Sequence, residues 1–139
     1  MILAYDSLGD ELRLSLIDEK NSTAYRKTVS ADPAQRIPRF DLLRELVDFL
    51  EAQQVATSQL TGIAFVRGPG RFTAVRTACI VANAFSRHSN IKLYPVTKAE
   101  LAEYKGDFAQ LFASGQITTT DHAEPLFDSP PRIHVAKQG

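Results

Sequence analysis

The chain has 139 residues, of which 44% are hydrophobic and 23% charged, and its formal net charge at pH 7 is zero. This size fits one globular domain with its own core, and the neutral balance argues against a dedicated nucleic-acid-binding module. No apolar run approaches the roughly 20 residues that cross a bilayer. Because Asp6 also comes too early for the core of a signal peptide, we expect a cytoplasmic protein without membrane contact.

Three strands are predicted in the first thirty residues. Residues 2–7 form an apolar run that ends before the turn at Gly9. Residues 12–18 alternate leucine with polar side chains, which is the period-two pattern of a half-buried strand. Residues 22–30 are rich in Thr, Tyr and Val but carry the most polar side chains, so this strand is predicted at the edge of the sheet.

A helix, a strand, a second helix and a further strand are predicted next, over residues 39–54, 60–66, 72–88 and 91–97. The apolar residues of the first helix cover an arc of about 160°, wider than packing on one sheet requires; they are Leu42, Leu43, Leu46, Val47, Phe49 and Leu50. Short helices are predicted near residues 101–104 and 107–113, and the rest of the chain as extended or irregular. This order of elements predicts an α/β domain with a mixed sheet of about five strands and two main helices.

The second predicted helix also has a wide apolar side. Ala74, Ala78 and Ala82 recur every four residues, which predicts a smooth groove open to another helix. Phe72, Val75, Cys79 and Phe85 widen this side to about half of the circumference. Two such faces in so small a domain predict helix-mediated association, with packing on the chain's own sheet as the alternative. The predicted partner-binding residues are Leu43, Leu46, Val47, Leu50, Ala74, Val75, Ala78, Cys79, Ala82 and Phe85.

A glycine-rich turn, Gly68-Pro69-Gly70, joins the predicted strand at residues 60–66 to this helix. Strand, glycine turn and helix N-terminus together can bind an anion, but the sequence lacks the lysine of a phosphate-binding loop and Pro69 removes one backbone donor. The pattern therefore allows a tight structural turn or an anion site. Arg71 stands where a capping serine is favoured, and its charge opposes the helix dipole, which a bound anion or an acidic partner would offset.

Charge is unevenly distributed along the chain. No acidic residue lies between Glu51 and Glu100, whereas six basic residues do: Arg67, Arg71, Arg76, Arg87, Lys92 and Lys98. This predicts a locally positive surface for an anion, an RNA or an acidic partner, or else scattered solvated charges. The single cysteine, Cys79, lies in an apolar helical pattern with no histidine nearby, which predicts a buried structural thiol.

These residues resemble the TsaB (YeaZ) family of bacterial tRNA threonylcarbamoyladenosine biosynthesis proteins. The family signature, Gly-Pro-Gly-Ser-Phe-Thr-Gly-Leu-Arg after a buried strand, is similar to the chain at Gly68, Pro69, Gly70, Phe72, Thr73 and Arg76, with a conservative Val75. Asp6 matches an N-terminal Asp-Thr-Ser, and Glu124-Pro125-Leu126-Phe127 with Pro130-Pro131 resembles the family's C-terminal stretch. Arg71 and Ala74 depart from the signature. Most of the family's second lobe also has no counterpart here.

The resemblance implies one lobe of the actin/sugar-kinase/Hsp70 type, with a ribonuclease H-like fold, over residues 1–98. Residues 99–139 would supply short helices and a tail in place of the second lobe. It further implies a non-catalytic scaffold or activating subunit that pairs through its two helices with a catalytic, TsaD-like threonylcarbamoyltransferase subunit. A TsaE-like ATPase would join this complex, with tRNA and a homodimer as further candidate partners. The signature turn, Gly68, Pro69, Gly70, Arg71, Phe72, Thr73 and Arg76, is the candidate anion-binding segment.

Two other functions remain as alternatives. An independent nucleotide- or anion-binding enzyme of the glycoprotease-like class would need a metal site or a nucleophile motif. The three histidines, His88, His122 and His134, lack the His-x-x-x-His spacing of the related metal-binding subunit, so we expect neither metal nor cofactor. A tRNA-binding accessory module is the other alternative, although the aromatic–basic pattern of an RNA-recognition motif is missing.

Overall fold

The computed structural model of the protein describes residues 1–37 and 39–127. The predicted tail beyond Phe127, including Pro130, Pro131 and His134, lies outside the described residues, as does Pro38. The strands are β1 (Ile2–Asp6), β2 (Glu11–Ile17), β3 (Thr23–Ser30), β4 (Gly62–Gly68) and β5 (Lys92–Thr97). The helices are α1 (Leu42–Ala52), α2 (Phe72–Ser89), α3 (Lys98–Ala102) and α4 (Phe108–Ser114), with a single 3-10 turn at Thr57–Gln59.

The five strands form one mixed sheet in the order β3-β2-β1-β4-β5. The first three strands are antiparallel neighbours, whereas β4 runs parallel to both β1 and β5. Crossovers through α1 and α2 make the parallel pairings possible, because parallel neighbours cannot be joined by a tight hairpin. β3 lies at one edge, as its polar composition predicted.

Alternation along the strands places the helices on opposite faces of the sheet. Tyr5 points to α2, where its hydroxyl donates a hydrogen bond of 2.5 Å to the carbonyl oxygen of Ala78. Its neighbour Ala4 therefore points to the other face, where it shares a row with Ala64 and Tyr94. The ring of Tyr94 meets that of Phe112 in α4 at 4.9 Å. The sheet is consequently covered by α2 on one side and by α4 on the other.

Helix boundaries follow from local capping. α1 starts after Asp41, whose carboxylate accepts a hydrogen bond from the backbone N–H of Arg44, so the helix begins three residues later than the predicted residue 39. α2 ends at Asn90, which adopts the left-handed conformation with φ 54°. The described part of residues 99–127 contributes to the same core as the sheet, through Leu101, Phe108, Ala109, Leu111 and Ala123.

Candidate partner-binding site

The glycine turn between β4 and α2 is covered by the chain's own residues 120–127, here called the covering segment. Gly68 has φ +136°, and a Cβ at this position would lie 1.9 Å from the carbonyl oxygen of Leu126. The N–H of Leu126 donates a hydrogen bond of 3.0 Å to the carbonyl oxygen of Arg67. On the other side of the turn, a Cβ at Gly70 would lie 3.1 Å from a methyl group of Val75. The missing side chain of Gly68 therefore lets the backbone of Leu126 approach closely, and that of Gly70 leaves room for the Val75 side chain, which gives the turn a structural role.

Side chains of α2 hold the covering segment in place. The amide of Asn83 accepts a hydrogen bond of 2.9 Å from the N–H of Ala123 and donates one of 3.1 Å to its carbonyl oxygen. The rings of Phe72 and Phe127 stack with centroids 4.9 Å apart. The covering segment is thus held on α2 at two points, one at the start of the helix and one beyond its middle.

The apolar side of α2 packs on the sheet rather than forming an open groove. Ala78 and Ala82 have no exposed surface, and Val75, Cys79 and Phe85 are buried as well. The hydroxyl of Tyr5, in β1 of the sheet, donates a hydrogen bond to the backbone carbonyl oxygen of Ala78. The expectation of a groove open to another helix is therefore wrong for these five residues: the chain's own sheet already occupies that side of the helix.

On α1, burial divides the predicted partner-binding residues into two groups. Leu46 and Leu50 are buried in the core, whereas Leu43 and Val47 are 53% and 39% exposed. The wide apolar arc of α1 is therefore real, but only part of it is covered by the domain. Leu43 and Val47 lie one helical turn apart and share the uncovered side.

Two apolar residues of α2 are also exposed. Phe72 is 51% exposed and Ile80 is 55% exposed, while Ala74 is half-buried. We call Leu43, Val47, Phe72, Ala74 and Ile80 together the outer helix face. Ile80 was not among the predicted partner-binding residues. The signal that could have identified it is a large apolar side chain on the otherwise polar side of the predicted helix.

The remaining residues of the signature lie at the surface. Arg71 is the N-cap residue of α2 and makes no side-chain capping hydrogen bond, as its position in the sequence suggested. Thr73 and Arg76 are exposed in the first turns of the helix, and Pro69 is half-buried. The carboxylate of Asp6 accepts a hydrogen bond of 3.3 Å from the N–H of Leu8, within the turn that follows β1.

Burial keeps the groups with nucleophilic potential in their neutral forms. Desolvation raises the pKa of Cys79 to about 11, an effect that Arg67 reduces and Glu124 increases. Desolvation also raises the pKa of Tyr5 well above its usual value. A cysteine with so high a pKa is almost wholly protonated at neutral pH and is a poor nucleophile. Cys79 is thus the buried thiol that its sequence context predicted.

Within residues 1–37 and 39–127, no three His, Cys, Asp or Glu residues lie close enough together to hold a metal ion. The same part of the chain contains no helix long and apolar enough to cross a membrane.

Comparison with known proteins places the chain in a family. The sequence profile of the TsaD family, described as tRNA N6-adenosine threonylcarbamoyltransferase, matches residues 40–116. This match covers more than half of the chain, which therefore belongs to that family. No curated protein sequence gives a significant match.

Solved structures identify the branch of the family that the chain resembles. YeaZ from Pseudomonas aeruginosa is 30% identical, with a TM-score of 0.61, over 74% of this chain and 46% of YeaZ. A second structure, an uncharacterized protein with similarity to peptidase YEAZ from Pseudomonas aeruginosa, is 30% identical with a TM-score of 0.58 over the same shares. The chain is thus a YeaZ-like (TsaB-like) protein, and it spans less than half the length of these relatives. Both the family recognised in the sequence and the predicted α/β fold with a mixed sheet of five strands are confirmed.

Proposed function

We propose that the protein is a non-catalytic scaffold or activating subunit of a tRNA threonylcarbamoyladenosine-modification complex. In this proposal it binds the catalytic, TsaD-like subunit through α1 and α2, in a cytoplasmic complex that a TsaE-like ATPase joins. Membership of the tRNA N6-adenosine threonylcarbamoyltransferase family supports the connection to tRNA modification. The interaction itself is supported by the outer helix face.

The outer helix face is the observation that carries the proposal. Leu43, Phe72 and Ile80 each expose more than half of their surface and Val47 exposes 39%, whereas the other large apolar residues of α1 are buried. Apolar side chains grouped on neighbouring helices favour association, because burial removes them from water at about 25 cal/mol per Å². α1 and α2 contact each other, so a partner lying across both helices would cover residues of each.

A supporting rather than catalytic role fits the chemistry of the core. The one thiol and the tyrosine beside it are buried and held neutral by desolvation. Neither group is accessible to a substrate. The signature turn, which could have held an anion, has its Gly68 side closed by Leu126.

Acidic substitutions on the outer helix face test the proposal. Leu43→Glu and Ile80→Glu place a charge on exposed positions, so the domain should stay folded while the partner interface has to bury a carboxylate. We expect each variant to weaken binding at least tenfold, equivalent to about 1.4 kcal/mol or more. The measurement is isothermal titration calorimetry with the catalytic subunit from the same organism, followed by an assay of tRNA modification.

Tyr25→Glu is the matched control, because Tyr25 is an exposed apolar residue, 42% accessible, on the edge strand β3 rather than on the helices. It should bind the catalytic subunit as the unmodified chain does. If both helix variants bind with unchanged affinity, the helix-pairing proposal is wrong. Sedimentation of the isolated chain would separately reveal a homodimer that uses the same face.

A further inference from the structure

A cavity of about 310 Å³ lies between the segment that leads into α1 and the first turn of α2. Phe40, Leu42, Phe72 and Ala74 are its apolar lining residues, and Arg39 and Arg71 are its two charged lining residues. We call this cavity the arginine pocket. Its other lining residues are Ser7, Ile37, Thr73 and Thr77, so no carboxylate is present among the described residues that line it.

The polar groups of the arginine pocket lack acceptors. The hydroxyl oxygen of Ser7 is buried and has no hydrogen-bond partner within residues 1–37 and 39–127. Over the same residues, neither Arg39 nor Arg71 forms an ion pair, since the ion pairs found there involve other groups. A buried polar group without a partner destabilises the folded state. An anion in the pocket would lie among two positively charged residues and a hydroxyl group that has no partner.

The N-terminus of α2 adds to the positive charge that the two arginines bring to the pocket. The first N–H groups of a helix have no partner within the helix, and the N-cap residue Arg71 provides no side-chain acceptor for them. Thr73 and Ala74, in this first turn, line the pocket. A negative charge at this place is stabilised by the helix dipole as well as by the two arginines.

The rim of the arginine pocket indicates the size of the occupant. Ile37 and Phe72 line it and remain 50% and 51% exposed. A small anion would neutralise the arginines but would leave these side chains in water. Phe72 and Ala74 also belong to the outer helix face, so a protein that covers this face would extend over the pocket. A protein segment with an acidic residue beside an apolar one would neutralise the two arginines and would also cover the exposed side chains of the rim.

We infer that the arginine pocket binds the carboxylate of an aspartate or glutamate side chain on a protein partner, through Arg39 and Arg71, with an adjacent apolar side chain of the partner against Phe40 and Phe72. This site extends the outer helix face and selects partners by charge. Arg71 stands where the YeaZ-like signature has serine, so this selectivity is a property of the present chain. That the partner is the catalytic subunit rests on the proposed function, whereas the chemistry of the pocket does not.

The chemistry is tested with peptides and the whole chain by ¹⁵N–¹H NMR titration. One probe is the blocked peptide acetyl-Leu-Glu-Phe-Glu-amide, and the neutral probe replaces both glutamates with glutamine. We expect only the acidic peptide to shift the backbone amides of Thr73 and Ala74. Its affinity should fall severalfold between about 0.05 M and 0.3 M salt, because a charge pair at a partly open site is screened.

Variants assign the effect to the pocket. Arg71→Ser restores the signature serine, which can cap the helix, and should weaken the acidic peptide at least fivefold without unfolding the chain. Arg87→Ser removes an exposed arginine of the same helix that does not line the pocket and should leave peptide binding unchanged. Equal binding of both peptides, or unchanged binding by Arg71→Ser, would overturn the inference. So would acetate alone shifting the same amides with the peptide's affinity, since that would indicate a small-anion site.

The catalytic subunit separates this inference from the proposed function. If the acidic peptide binds as expected but the catalytic subunit does not bind, the proposed function fails and the pocket remains. If the subunit binds and Arg71→Ser leaves its affinity unchanged, the pocket inference fails and the proposed function remains.

Discussion

Replacement of Gly68 by alanine tests whether the signature turn is a structural joint. Gly68 has φ +136°, a region that residues with a side chain rarely adopt, and its added Cβ would lie 1.9 Å from a backbone oxygen of Leu126. The backbone strain alone costs about 1–3 kcal/mol. Because the obstacle is backbone and not a flexible side-chain end, the covering segment has to move away.

The cost of that movement is estimated from the contacts it breaks. Loss of the hydrogen bond from Leu126 to Arg67 costs about 1 kcal/mol, and loss of the stacking between Phe72 and Phe127 costs about 0.5–1.5 kcal/mol. Together with the strain, we expect Gly68→Ala to reduce the free energy of unfolding by about 3–5 kcal/mol. For a chain of this size the melting temperature should fall by roughly 10–15 °C.

Urea unfolding followed by circular dichroism provides the measurement, and two other glycines provide controls. Gly115 has φ +75° but no atom within 4 Å of an added Cβ, so Gly115→Ala reports strain alone, about 1–2 kcal/mol. Gly9 also has open space and no positive φ, and Gly9→Ala should lie within about 0.5 kcal/mol of the unmodified chain. If Gly68→Ala is no more destabilising than Gly115→Ala, the close contact with the covering segment does not contribute and the reasoning fails.

Two further predictions concern the core beneath α2. Ala78→Glu should prevent cooperative folding, because Ala78 is fully buried and an unpaired carboxylate in the core costs several kcal/mol; a native circular dichroism spectrum and melting curve would contradict this. For Cys79, burial raises the folded-state pKa from 9.0 to about 11. The contribution of the buried, protonated thiol to the free energy of unfolding is therefore fully present below pH 9 and is lost as the pH rises toward 11. Between pH 8 and pH 11 the free energy of unfolding, measured with urea, should therefore fall by about 2 kcal/mol more for the unmodified chain than for Cys79→Ala. Equal decreases in the two proteins would refute the raised pKa.

The expected effect of Ala78→Glu differs from what the sequence suggests. The ladder of Ala74, Ala78 and Ala82 has the spacing of an open groove, in which a glutamate would block a partner and leave the domain folded. In the structure, two of these alanines are fully buried against the sheet. Periodicity reports which side of a helix is apolar, but the same pattern fits packing on a partner or on the chain's own sheet.

Local patterns in the sequence predicted much of the fold. Alternating leucines predicted β2, the polar composition of β3 predicted an edge strand, and the Gly-Pro-Gly signature placed the start of α2 at Phe72. The same signature led to the family that the comparisons confirm. These features are determined by neighbours in the sequence, through side-chain periodicity and capping, so they can be recognised without the tertiary structure.

The sequence by itself therefore determined the class of fold, the two apolar helices and the family. Only the tertiary structure decided which apolar residues stay exposed, that Leu126 closes the glycine turn, and that Ser7, Arg39 and Arg71 line one pocket. These three residues are far apart in the chain and are brought together by β1, the approach to α1 and the start of α2. Burial and electrostatic environment depend on which distant segments pack against a residue, and no local pattern of the sequence specifies that packing.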